Sequence, residues 1–181
     1  HFSTDGAYLH TRPERRPPIY VSAFGRRAAE VAARLGDGVW TLADPETAPE
    51  VIDAYRSACD DAGKEPGGIV LQAQFSWAED EEAALEGARV WKGAQPGEFY
   101  TDDWHDPKRM YERGEEQVSD DELRESLIIS ADPDVHVERI HAAEDLGATI
   151  MALMNVSGAD PHGAIEVYAK RVLPALGTVP A

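Results

Sequence analysis

The feature that most constrains this chain is its alternation of strand-like and helix-like segments. Ile19-Tyr20-Val21-Ser22-Ala23 is a short β-rich run closed by Phe24-Gly25. The Ala-rich stretch 26–35 that follows reads as a helix, with Gly36 as its stop. Gly38 to Leu42 gives a second strand. Asp44-Pro45-Glu46 then reads as a helix start, Asp44 as N-cap and Pro45 as first helical residue, with the helix running to about Ala62. Ile69 to Trp77 is a third strand, and 79–93 an acidic-headed amphipathic helix. Ser130 to Asp134 opens a further helix that ends near Gly147. Ala148 to Asn155 is a nearly unbroken apolar run, as expected of a buried parallel strand, and 161–176 forms the last helix.

Such repetition is the pattern of parallel α/β architecture. The chain has 181 residues, whereas a complete (β/α)8 barrel takes ~250. Four β/α units fit the smaller length, and four is half of eight. The expected fold is therefore α/β, the C-terminal half of a (β/α)8 TIM barrel. It has four parallel strands with helices and an insertion after the third strand. Residues 1–18 read as a connecting segment, 19–177 as the half-barrel, about 94–125 as the insertion and 178–181 as a tail. A half-barrel leaves two open edges, here the strands at 19–23 and 148–155. Open apolar edges need a cover, so a partner is expected: a missing N-terminal half-barrel or a second chain.

Composition narrows the function classes. There are 34 acidic against 17 basic residues, a formal net charge of −17, which argues against a nucleic-acid binder. No apolar run approaches a membrane span. The N-terminus shows no apolar signal region and no initiator Met, so the first residue reads as lying inside a longer product. Cys59 is the one cysteine, too few for an internal disulfide, and a cytoplasmic setting is expected.

Active sites in this architecture lie at the C-terminal ends of the strands. Ser22-Ala23-Phe24-Gly25-Arg26 stands at such an end and leads into a helix. Gly25 allows close backbone approach, the helix N-terminus offers N–H groups, and Arg26 adds charge, so a phosphate suits it. An ordinary βα turn explains the same residues. Thr41 ends the second strand with a hydroxyl that can meet a ligand, though threonine is also an ordinary strand residue. Along the third strand Val70, Gln72, Gln74 and Ser76 share one face. They either line a barrel interior or satisfy one another in the core. Trp77 reads as core. The TDDWHDP run, 101–107, has metal-ligand types but reads as ordinary loop acids. His136 and His141 are spaced wrongly for a helical zinc pair and read as surface residues. His162 reads as local capping.

PPIYVSAFGRRAAEVAARLGDGVWTL resembles a segment of luciferase-like flavin and deazaflavin enzymes: a strand, a small-residue turn, an Ala-rich helix, then Gly36-Asp37-Gly38 before the next strand. ADPDVHVERI (131–140), LGATIMALMNVSGADPHGAI (146–165) and YAKRVLPAL (168–176) resemble the last units of the F420-dependent branch. That branch includes the F420-dependent glucose-6-phosphate dehydrogenase family. The resemblance implies an oxidoreductase whose mouth holds coenzyme F420 and exchanges hydride with a small-molecule substrate. By it, Ser22, Ala23, Phe24, Gly25 and Arg26 lie at the cofactor phosphate; Thr41 stays a cofactor-binding candidate from its place at a strand end. The family's basic sugar-phosphate residues correspond here to Asp44-Pro45, Thr101 and Ser126. Its catalytic residues come from strands this chain lacks, so no catalytic residue is assigned. Alternatives are an FMN-dependent monooxygenase of the same superfamily, or a non-catalytic half-barrel that binds or assembles, with a homo-oligomer expected.

Overall fold

The computed structural model describes residues 3, 5–8, 11–100 and 102–177; Thr101 and the tail 178–181 lie outside them. Five parallel strands form one sheet: β1 (Tyr20–Ser22), β2 (Gly38–Leu42), β3 (Gly68–Ser76), β4 (Ile128–Ile129) and β5 (Ile150–Asn155). The four longer strands lie in chain order, β1 beside β2, β2 beside β3 and β3 beside β5. The two-residue β4 is an addition to the four expected strands. It pairs with the end of β3 at Phe75 and Ser76, and is too short to carry a sequence signature.

The helices are α1 (Arg26–Leu35), α2 (Ala48–Asp61), α3 (Glu81–Arg89), α4 (Pro107–Gln117), α5 (Asp120–Ser126), α6 (Pro133–Asp145) and α7 (Pro161–Val167). α1 has the bounds its alanines imply, but its stop differs in kind. Gly36 has φ −99°, so no left-handed residue ends the helix. Space requires glycine here: a Cβ would come within 2.9 Å of the Val21 side chain and the Ala32 carbonyl. Lys64 Nζ then donates to the carbonyls of Ala33 and Gly36, satisfying the helix end with a cation.

α2 starts later than Asp44-Pro45 suggests. The Asp44 carboxylate accepts from the Glu46 N–H and the Thr47 hydroxyl, making a local turn, and the helix begins at Ala48. α7 continues through a wide turn, Tyr168–Val172, to Ala175. Pro174 has no N–H to give, and Leu173 N–H reaches back to the Tyr168 carbonyl instead.

Alternate residues of each strand meet different surroundings. Val39, Ile69, Leu71 and Met151 pack under α1 and α2. Ala73, Phe75 and Leu153 pack with Ile140 of α6, Ala164 of α7, and Tyr168 and Val172 beyond it. A third cluster joins Ala84, Leu85 and Ala88 of α3 to Leu123 of α5 and Leu127. Arg89 and Lys92 both pair with Asp120 there, and hold its carboxyl at about 2, Arg89 first and Lys92 second.

His136 is wholly buried, which corrects its reading as a surface residue. Its Nε2 lies 2.9 Å from the Ser130 carbonyl and its Nδ1 2.8 Å from the Tyr168 hydroxyl. A carbonyl only accepts, so Nε2 carries the proton and Nδ1 accepts from Tyr168. With both nitrogens satisfied, the ring is an internal tie between β4 and the last helix. Spacing on one helix does not show this, because both partners come from other elements. Burial holds its pKa below the usual imidazole value. His141 is exposed and pairs with Glu144.

Candidate functional site

Strand register gives the second face of the sheet in layers. Tyr20 pairs with Gly38, and Gly38 with Gly68. Above them come Ser22, Trp40, Val70 and Ile150, then Leu42, Gln72 and Ala152, then Gln74 and Met154. The Tyr20 ring occupies the space in front of the two glycines. A Cβ on Gly38 would run into that ring, and one on Gly68 would sit 2.8 Å from its hydroxyl. One aromatic side chain thus occupies the lowest layer in place of two others.

Higher up, Val70 is buried at the centre of the face but the residues around it are open. Trp40 is 36% exposed, Leu42 43% and Ile150 44%. The Trp40 indole N–H donates to Gln72 Oε1 at 3.1 Å. At the C-terminal end α3 and the α3–α5 cluster close over part of the face. Ser76 Oγ donates to the Ala84 carbonyl at 2.6 Å, and Met154 packs into the α3–α5 cluster. The polar residues of β3 therefore divide between the two readings open for them. Ser76 is satisfied in the core, while Gln72 and Gln74 are half-buried on the open face.

Ser22, Ala23, Phe24, Gly25 and Arg26 come together where β1 meets α1. Ser22, Phe24, Gly25, Arg26, Arg27 and Ala28 line an open hollow of about 590 Å³. Ala23 is buried beneath it, its N–H donating to the Trp40 carbonyl at 2.9 Å. Phe24 stands 68% exposed. No side chain caps α1. The first helical bond runs from Ala29 to Gly25, so the N–H groups of Arg26, Arg27 and Ala28 precede it. Nothing in the protein occupies the place a Cβ on Gly25 would take. No packing within the chain demands glycine there, and a ligand has room to approach the backbone. These donors and the two arginines suit an anion such as a phosphate.

Thr41 does not join this group. It is 2% exposed and pairs with Leu71 on the helix-covered face. Strand alternation turns its neighbours Trp40 and Leu42 to the open face instead. The alternation is legible in the sequence, but which of the two sets the helices cover is not. Trp77 packs in the core, with its indole N–H on the Ala131 carbonyl at 2.9 Å. The cap of α7 is Asp160 and not His162. Among the described residues no cluster of His, Cys, Asp or Glu has the geometry of a metal site, and no helix is long and apolar enough to cross a membrane. Asp44 lies in its turn and Ser126 ends α5.

A parallel sheet in chain order with helices on one face places the chain in the parallel α/β class. The luciferase-like monooxygenase family model matches residues 1–149, and the chain belongs to that family. It is similar to the F420-dependent glucose-6-phosphate dehydrogenase of Microbacterium testaceum, 29% identical over 97% of this chain and 53% of that protein. It is also similar to the F420-dependent hydroxymycolic acid dehydrogenase of Mycobacterium tuberculosis, 28% identical over 97% of this chain and 47% of the other. Among solved structures, an F420-dependent secondary alcohol dehydrogenase in complex with an F420-acetone adduct superposes with a TM-score of 0.84. It is 27% identical, over 97% of this chain and 53% of that one. The chain spans about half the length of the curated relatives it matches, and its sheet is half of their (β/α)8 barrel.

Proposed function

We propose that this chain is the C-terminal half of an F420-dependent oxidoreductase, active only when an N-terminal half-barrel completes it. That half comes from the same polypeptide or from a second chain. Residues 19–177 form the half-barrel, with 1–18 as connection and about 94–125 as insertion. The observation that carries the reading is the uncapped turn Ser22-Ala23-Phe24-Gly25-Arg26 beside an open inner face. In this reading the N–H groups of Arg26, Arg27 and Ala28 hold the cofactor phosphate, and Arg26 adds the countercharge. Trp40 and Leu42 wall the space next to it.

When bound, F420 supplies the carbon centre that takes or gives a hydride. This chain's own share is to bind and orient. On the open face Trp40, Leu42 and Ile150 present apolar surface, and Gln72 and Gln74 present amides. The proton that accompanies the hydride is left to the other half. The exposed apolar face supports a chain that is incomplete alone. A cytoplasmic setting fits the buried free Cys59, and assembly into a homo-oligomer belongs to the same reading.

The test is a titration of the complete barrel with F420 and, separately, with FMN, followed by absorbance. Binding of F420 and its reduction or oxidation by an organic substrate is the expected outcome. Preference for FMN would move the protein to the monooxygenase side of its family, and binding of neither would leave a non-catalytic assembly module.

A further inference from the structure

One polar pair on the inner face is only half used by the chain itself. Trp40 and Gln72 stand on neighbouring strands, one layer apart, and the Trp40 indole N–H donates to Gln72 Oε1 at 3.1 Å. An indole nitrogen only donates, so the oxygen end of the amide faces Trp40 and the nitrogen end faces away from it. Among the described residues Gln72 Nε2 has no hydrogen-bond partner. No side-chain nitrogen or oxygen among them is buried without a partner, so Nε2 keeps access to the space before the sheet. Gln72 itself is half-buried between Leu42 and Ala152. Gln74, two residues further along β3, has no partner at either end of its amide, and no neighbour fixes which end turns inward. Gln72 differs in that its two N–H groups are the end it presents.

Once this face is enclosed, an N–H without an acceptor is costly, so closure of the barrel calls for an oxygen at this place. The register also sets its distance from the anion-suited turn. Ser22 lies level with Trp40, and Gln72 stands two strands away and one layer higher, roughly 10 Å across the sheet. That is within reach of the chain that joins phosphate to ring in F420. We propose that Gln72 Nε2 donates a hydrogen bond to a carbonyl oxygen of the deazaflavin ring, and that Trp40 is the positioning residue that fixes the amide for it. This rests on the function proposed above and adds a ring contact to the phosphate contact.

The experiment uses the complete barrel that contains this chain. Gln72→Met keeps the length of the side chain and removes the amide. Gln72→Glu, read at pH 8, keeps an acceptor for Trp40 and removes the donors. F420 affinity and the absorbance band of bound F420 are measured without substrate, alongside unfolding midpoints. The expected Kd rises about three- to tenfold in Gln72→Met and about tenfold or more in Gln72→Glu, where a carboxylate faces the ring oxygen. The band shifts in both. Trp40→Phe is expected to raise Kd about two- to threefold in the parent and to add nothing in Gln72→Met, since it acts through that amide. Should one Gln72 variant fail to fold, the other and Trp40→Phe carry the reading. If the parent barrel does not bind F420, the proposed function fails and this inference with it. If F420 binds and the Gln72 variants leave affinity and band unchanged, only the inference is overturned. A lowered unfolding midpoint with unchanged binding overturns it too, and gives the amide to an oxygen of the other half-barrel. An equal effect of Trp40→Phe in the parent and in Gln72→Met overturns the positioning role of Trp40.

Discussion

The two faces of one sheet are built from similar residues and end in opposite states. Val39, Ile69 and Leu71 are buried under α1 and α2, while Trp40, Leu42 and Ile150 on the other face stay open. Hydrophobicity does not separate the two sets. What separates them is whether the covering element lies within this chain. The outer face is closed by helices that follow each strand in sequence. The inner face of a (β/α)8 barrel is closed only by opposing strands, and this chain spans about half of its relatives.

The contrast is sharpest in mutation. Leu71→Ala deletes fully buried atoms beneath α1 and α2 and is expected to cost about 2–5 kcal/mol in urea unfolding. A loss below about 1 kcal/mol would mean that the outer face is not the stable one. His136→Phe keeps the ring and its T-shaped approach to Phe75 but strips the Ser130 carbonyl and Tyr168 hydroxyl of their partner. It is expected to cost about 1–3 kcal/mol.

His136 also gives a pH signature with a definite sign. Its folded pKa lies below the unfolded value of about 6.5. The unfolded chain therefore binds the proton more readily. Stability is full above the unfolded value and is lost as pH falls through the folded one. Unfolding midpoints across this window should fall with pH in the parent chain and flatten in His136→Phe; equal slopes would remove the residue from that role.

Effects at the open face should be smaller and should depend on what covers it. Arg26→Glu is expected to weaken F420 binding to the complete barrel by about 1–3 kcal/mol and to leave unfolding nearly unchanged. Unaltered affinity would take the phosphate away from this turn. Leu42→Ser is the smallest change. In this chain alone it should stay within about 0.5 kcal/mol, as at other exposed positions. In the complete barrel it should cost more, because the residue is then enclosed. Equal values in the two settings would erase the distinction between the faces.

Much of this was legible in the sequence. The alanines of 26–35, the acid-capped helix starts and the apolar run 148–155 give elements close to those observed, since each signal is local. The place of Ser22 to Arg26, between a strand and a helix, was legible for the same reason. Thr41 and His136 were misplaced because their surroundings come from elsewhere in the chain. Which face Thr41 takes depends on where α1 and α2 lie. The fate of His136 depends on a hydroxyl 32 positions away.

The sequence by itself determined the order of strands and helices, the acidic balance of charge and the position of one turn. Local propensity, capping and periodicity fix these within a few residues. Only the tertiary structure decided which residues of each strand are enclosed, that Tyr20 fills the space over two glycines, and that the layered face above it carries no ionisable group. Those facts depend on register between distant strands, a one-residue shift of which would exchange every inward side chain for an outward one.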